Sequence, residues 1–495
     1  MQTLLLYLFA FSSGFAALIY QVAWSRMLSL TFGSSTLAVS AVVAGFMGGM
    51  GIGAWLYHRV GDRVSVALRA YGFLEIGIAL STALFSLLFL RLPQWFAAVA
   101  PMLPEGTGLD VFRVLNVFLL LLLPSALMGA TYPALCQALI HSAHEVEQRL
   151  GWIYGLNTLG AATGAVAAGF LLIEFVGSSG AVLVANAINL AVGCGALLLG
   201  LRVTRSGGDD TVVDESLPSN LPYWLAGLVL FGSGFATLGY EIVWFRALHY
   251  LLGPGTYVLS SALTIFLLGL GFGALFYGPA VRWGRPEWNL GLCQLGVAIL
   301  ALLAIGAEHW LLITPGISEQ VSAFSPKFAD SSWQWRLAVG CGVALAIMLP
   351  ATLWMGLTFP LASRLFMGSV GRLTSRVGLA YLLSNLGSIT GAIAAAVWVL
   401  PNLGTVGGTK LFAGVNVVLA VLVPSCSPWR YRRGSSSCPR WCNTMQRCSR
   451  CPSRRRRTSA RFRSSPRSSL RAPAPWRSTA PSLASQQTGT RCCTR

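Results

Sequence analysis

Twelve long apolar runs leave this chain very few folds. They lie near residues 4–25, 36–57, 70–90, 112–136, 150–173 and 181–200, and again near 222–243, 256–278, 289–306, 337–362, 376–399 and 408–424. A helix needs about 20 predominantly apolar residues to cross the hydrocarbon core of a bilayer. Inside that core no water can satisfy a backbone N–H or C=O, so only helices and closed barrels span it. Runs that are continuously apolar rather than alternating are helices. Only 10% of the residues are charged, against about 25% in soluble domains, so the chain is expected to be an all-α polytopic membrane protein. The first run has no basic start and no small-residue cleavage site, and it continues to Trp24. It reads as a retained span rather than a removed leader.

The runs form two copies of one six-helix unit. At an offset of 220 residues, Ser13–Tyr57 lies over Ser233–Tyr277, with 18 of the 45 positions identical and no gap. The matches include Gly14, Tyr20, Trp24, Arg26, Gly49, Gly51, Gly53 and Tyr57, residue types that chance likeness between apolar segments does not supply. Further on the offset becomes 227. Met128-Gly129-x-Thr131-x-Pro133 meets Met355-Gly356-x-Thr358-x-Pro360, Arg149-x-Gly151-x-x-Tyr154 meets Arg376-x-Gly378-x-x-Tyr381, and Leu159-Gly160-x-x-Thr163-Gly164 meets Leu386-Gly387-x-x-Thr390-Gly391. Six spans per unit make the copies parallel, related by an axis along the membrane normal, as in the two halves of major facilitator transporters. The expected organisation is repeat 1 over 1–205, a polar linker over 206–220, repeat 2 over 221–424, and a tail over 425–495.

The net charge of +19 is a property of that tail, which holds 17 arginines and no Lys, Asp or Glu. The first 424 residues carry 18 basic and 16 acidic side chains, so no nucleic-acid partner is expected. The tail also holds seven of the 11 cysteines; the other four lie singly in apolar runs, as packing residues do. Lys and Arg favour cytoplasmic loops. One set of alternate loops carries 11 of them and the other set 7, which places both termini in the cytoplasm of a bacterial inner membrane. Trp24, Trp95, Trp244 and Trp310 then fall at outer span ends, where an aromatic belt sits.

Gly45, Gly49, Gly51 and Gly53, with Gly269, Gly271 and Gly273, sit inside apolar helices, where small residues let backbones approach closely. No strand precedes them, so they do not read as a nucleotide loop. Polar groups at membrane depth are the candidates for function. Glu75 in the third span has Gln294 as its repeat partner, and Glu241 in the seventh span has Gln21. An ionised carboxylate there costs several kcal/mol unless it is protonated, paired or wetted by a cavity. Glu75 is expected to face Gln294 across the pseudo-twofold axis, where it could relay protons or bind a cation; hydrogen bonding between helices is the alternative. For Glu241, placed near the outer interface, structural hydrogen bonding is the simpler reading. Arg26 and Arg246 recur beside Trp24 and Trp244, either snorkelling to headgroups or pairing with Glu241. Asn157 and Asn385 read as bonds between helices. No metal or cofactor site is expected, and no catalytic residue.

The runs Ser13–Arg26 and Ser233–Arg246, together with Leu74-Glu75-Ile76-Gly77 and the Met-Gly-x-Thr-x-Pro motifs, resemble the membrane-embedded spermidine synthase-like proteins over roughly residues 5–424. In that family a major-facilitator-like membrane region precedes an aminopropyltransferase-like domain. The resemblance implies an enzyme-related membrane region, with polyamine as a ligand or a separate soluble enzyme as a partner. It also implies a glycine-rich Gly-Gly-Gly-Asp-Gly cofactor turn after the last span. None follows Val423, so the chain is expected to be catalytically inactive in this form. The tail admits a basic arm for RNA or lipid, a cysteine knuckle at Cys438, Cys442, Cys448 and Cys451, or a frameshifted and disordered end; its composition favours the last. The alternative function is a major-facilitator-like transporter or binding protein for a small cationic solute. On the loop charges, a reporter active only outside the cytoplasm should stay dark when fused after residue 424; a signal there would remove the twelve-span topology.

Overall fold

The computed structural model describes residues 2–426, apart from 33–35, 65, 103–106, 206–214, 218, 253–255, 315–318 and 320–331. These residues belong to one unit, Met1–Trp429. From residue 427 on, the tail lies outside the described residues, as do the linker acids Asp209, Asp210 and Asp214.

Twelve long helices carry the described chain. In the first half they are α1 (Gln2–Phe32), α2 (Thr36–Val60), α3 (Ala67–Val99), α4 (Thr107–Leu139), α5 (Ala143–Val166) and α6 (Ile173–Arg205). In the second they are α7 (Tyr223–Leu252), α8 (Thr256–Leu275), α9 (Pro286–Ile313), α10 (Trp333–Met367), α11 (Leu373–Ala394) and α12 (Leu400–Ser425). A short helix, Tyr277–Arg282, joins α8 to α9.

Eight stretches meet the length and hydropathy of a membrane span. Two of these, Ala143–Arg202 and Val370–Ser425, have 60 and 56 residues. At about 1.5 Å per residue each is far too long for one crossing of a ~30 Å core. Each therefore contains two crossings, and the break is visible. A π-helical segment at Ala167–Leu172 precedes Gly177 (φ 74°), and its counterpart at Ala395–Val399 precedes Gly404 (φ 65°). The two glycines are 227 residues apart, the offset of the sequence repeat, so the duplication extends to backbone irregularities. With α2 and α8 added, the count of twelve expected from the apolar runs is reached.

Packing repeats as well. Within the halves α1 lies on α5 and α6, α2 on α4, and α3 on α4 and α6; α7 lies on α11 and α12, α8 on α10, and α9 on α10 and α12. Between the halves, α2 meets α11 and α5 meets α8, two contacts that the repeat makes equivalent. The fold is major-facilitator-like: two parallel six-helix units with a seam of four helices.

The seam and the pairs beside it depend on residues without side chains. A Cβ on Gly53 would sit 1.7 Å from the Ala126 carbonyl oxygen, and one on Gly273 would sit 2.0 Å from that of Leu353. These are backbone-to-backbone approaches of α2 to α4 and of α8 to α10, made where the sequence repeats its glycines. Gly53→Ala should therefore cost about 1–3 kcal/mol or more through overpacking and reduce the yield of folded protein. Gly306→Ala, with nothing within 4 Å of the new methyl, should express like wild type; equal yields for the two variants would refute this packing account.

Candidate functional site

A cavity of about 170 Å³ lies at the centre of the seam. It is lined by middle segments of α2, α4, α5, α7, α8, α10 and α11, which is why no single helix shows it in sequence. The polar groups that reach it include Glu241, Asn157, Asn385, Thr158, Thr237 and Ser384. Among the described residues, Glu241 is the one charged residue in the lining, and no basic residue joins it. Asn385 is buried, and its Nδ2 donates to the Tyr381 carbonyl at 2.7 Å. Asn157 is half-buried.

The expected apposition of Glu75 and Gln294 is corrected by the packing. Among the described residues α3 and α9 do not pack on each other; each lies on helices of its own half. Glu75 is fully buried beside the Ser13 and Tyr71 hydroxyls, and among the described residues neither of its oxygens has a partner of full hydrogen-bond geometry. The Tyr71 hydroxyl is committed to the Phe9 carbonyl at 3.2 Å. Gln294 is likewise buried, with an unpartnered Nε2. The reading of Glu241 as an interfacial residue is corrected too. It lies about midway along α7 and faces the cavity, while its repeat partner Gln21, half-buried on α1, is not in the lining.

Arg26 and Arg246 are exposed. Arg246 follows Glu241 by five helical positions, which turns their side chains about 140° apart at 100° per residue; the arginine points away from the cavity. Trp24 and Trp244 are fully buried and stack on Tyr20 and Tyr240 at 5.2 and 5.0 Å. They are packing residues, not an aromatic belt. Trp95 and Trp310 are exposed, as belt residues are.

Other features are plain only in three dimensions. Tyr132, Tyr154, Phe359 and Tyr381 form an aromatic floor under the cavity, with centroids 4.7 Å apart for Tyr154–Phe359 and 5.3 Å for Tyr132–Tyr381. The repeat pairs Tyr132 with Phe359 and Tyr154 with Tyr381, so each half contributes two rings. All four fall within the duplicated motifs, at positions where alternation of small and aromatic residues could have signalled them. The Tyr381 hydroxyl donates to Met50 Sδ at 3.7 Å, across the seam.

Beyond the floor, toward the side where α1 begins and α12 ends, polar contacts cross between the halves. Arg364 donates to Glu147 at 3.0 Å, with the arginine side chain 7% exposed and the glutamate 31%. His58 Nδ1 donates to the Ser375 carbonyl at 2.7 Å. The backbone N–H of Ala143 donates to Glu215 at 2.7 Å, and that of Val370 donates to the Glu215 carbonyl at 3.0 Å, so one linker residue touches both halves. This face is closed. Inside the first half, the Tyr20 hydroxyl donates to Asn186 at 2.7 Å and Thr82 also bonds Asn186. In the second half Asn416 donates to the Tyr240 hydroxyl at 3.3 Å.

No protein-family model and no curated protein matches the chain. Solved structures do. The human organic anion transporter MFSD10 (TETRAN) superposes with a TM-score of 0.51 and 14% identity, over 85% of this chain and 99% of that one. A bacterial homologue of the iron transporter ferroportin, in an outward-facing state, gives 0.52 and 13%, over 86% and 97%. The E. coli fucose:proton symporter FucP gives 0.52 and 14%, over 84% and 98%. At such identities the likeness is one of fold. These similarities overturn the resemblance to spermidine synthase-like proteins, since nothing among them points to such an enzyme. The motifs behind that resemblance have a physical explanation: Gly14, Tyr20, Trp24 and their counterparts Gly234, Tyr240 and Trp244 pack helices together.

The Glu147–Arg364 pair bridges the halves in a largely buried place, so it should be energetically coupled. A double-mutant cycle of Glu147→Gln and Arg364→Gln, followed by unfolding in detergent, should give a coupling of about 1–2 kcal/mol. Additive single effects would show that the contact does not hold the closed face.

Proposed function

We propose that the chain is a major-facilitator-like transporter for a small organic cation, which it binds in the central cavity with Glu241 as counter-ion. The observation that carries this reading is the lone carboxylate, with no basic residue beside it, among the described residues of the lining. In a low-dielectric site an uncompensated carboxylate selects for positive charge. The aromatic floor suits the same solute class, because ring faces attract ammonium groups. Asn157, Asn385 and the Ser and Thr hydroxyls supply neutral hydrogen bonds that would set orientation. The cavity is smaller than the ~300–1,000 Å³ of pockets for drug-sized ligands, which favours a solute of few heavy atoms.

The closed face beside the termini and the aromatic floor are consistent with alternating access, in which the two halves rock about a central site. Opening that face requires the Glu147–Arg364 and His58–Ser375 contacts to part. On this reading the halves are repeats 1–205 and 221–424 joined by the linker 206–220. The loop arginines support a bacterial inner membrane with both termini cytoplasmic, and Glu75 is a buried polar residue apart from the solute path.

The test is direct binding of a panel of small amines, quaternary ammonium ions and neutral or acidic analogues of similar size to the purified protein. Cations should stabilise it against heat in a saturable way. Glu241→Gln should weaken that binding about tenfold or more, in keeping with loss of a charge-assisted contact, while Glu75→Gln should leave it unchanged. Binding of anions in preference to cations, or full cation affinity in Glu241→Gln, would overturn the proposal.

A further inference from the structure

The two halves differ sharply at one corner of the closed face. In the first half Arg149, on α5, is neutralised by Glu145 one turn earlier, with 2.8 Å between the charged atoms. At the repeat offset of 227, Arg149 becomes Arg376 and Glu145 becomes Arg372. A self-neutralised pair in one half is thus a pair of like charges in the other. Among the described residues neither Arg372 nor Arg376 has an ion-pair partner. Among the described residues, the nearby carboxylates bond backbone groups instead: Glu215 accepts from Ala143 N–H and Glu287 from Asn220 N–H.

These arginines border a second cavity, of about 530 Å³, separate from the central one. Leu217, Ser219, Tyr223, Phe366 and Ser369 are among the other residues of its wall. Arg376 is held in place, with its guanidinium 4.0 Å above the Tyr223 ring and 5.6 Å from Phe366. Arg372 is exposed and stands immediately before α11, so the positive end of that helix adds to the field. On the twelve-span reading, the start of α7 beside these arginines lies at headgroup depth. Tyr223 and Trp224 begin α7 and are 44% and 64% exposed, the place and degree expected of interfacial aromatics. Like charges one helical turn apart repel, and a guanidinium fork fits phosphate oxygens, so an occupant bearing a phosphate would relieve the repulsion.

We propose that Arg372 and Arg376 form a binding site for a phosphate-bearing anion, with the headgroup of an acidic phospholipid as the source its depth favours and free phosphate as the other. The site is independent of the solute cavity. Its test uses the whole chain purified in a neutral detergent and titrated separately with short-chain phosphatidylglycerol, phosphatidylcholine and inorganic phosphate, read by native mass spectrometry and thermal shift. Phosphatidylglycerol should bind once per chain and saturably, and better than phosphatidylcholine. Arg372→Glu restores the acid–base pair found in the first half, so it should keep the fold and weaken binding about tenfold or more. Arg376→Gln should weaken it as well, which guards against an idiosyncrasy of one variant. Saturable binding of inorganic phosphate alone, lost in Arg372→Glu, would support the anion site and assign it to the free ion. Binding that is the same in wild type and Arg372→Glu, or no saturable binding of either anion, would overturn the proposal.

Discussion

Backbone-to-backbone approach at glycine is the contact on which the structure depends. In lipid, helices gain nothing from hiding apolar side chains from water, so association relies on close packing and on polar contacts between helices. Gly53 against Ala126 and Gly129 against Met50 bring α2 and α4 together, and Gly273 against Leu353 and Gly356 against Leu270 do the same for α8 and α10. Gly151 against Ala274 and Gly378 against Ala54 then join the halves. Each of these contacts exists twice because the gene segment that encodes it does. The seam, the cavity inside it and the closed face below it follow from where those glycines fall.

Against that symmetric frame, departures from symmetry mark the chemistry. Glu241 faces the cavity where the repeat offers Gln21 on a helix that does not reach it. Glu75 is a buried acid where the second half has the amide Gln294. Arg372 replaces the acid that would neutralise Arg376. Packing positions, by contrast, are kept in both halves: Tyr20 with Tyr240, Trp24 with Trp244, and Asn189 with Asn416. A duplicated bundle needs its packing twice, whereas a single central solute needs its counter-ion once.

The likeness to spermidine synthase-like proteins is instructive for the same reason. Strings such as Gly-Phe-Ala followed by Tyr and Trp one and two turns later look like signatures. In three dimensions they are a helix surface shaped to fit its neighbours. Tyr20 and Trp24 stack and sink into the first half, and Gly14 touches the Asn157 backbone. Motifs that meet a packing need carry information about fold more than about activity.

The number of helices, their approximate limits, the parallel duplication and the glycine-paired helices were all legible in the sequence, because each is a local or repeated pattern imposed by bilayer thickness and backbone hydrogen bonding. Which face of each helix looks inward was not legible. A soluble helix reveals its buried side by apolar periodicity, but a membrane helix is apolar all round, so Glu241 could not be told from an interfacial residue, nor Trp24 from a belt residue. Tertiary structure alone decided that Glu241, Asn157 and Asn385 share one cavity while Glu75 and Gln294 stay apart. It also decided that Arg364, 217 residues away in sequence, closes the face with Glu147. Those relations depend on how twelve helices rotate about their axes, and that rotation is set by contacts between segments far apart in the chain.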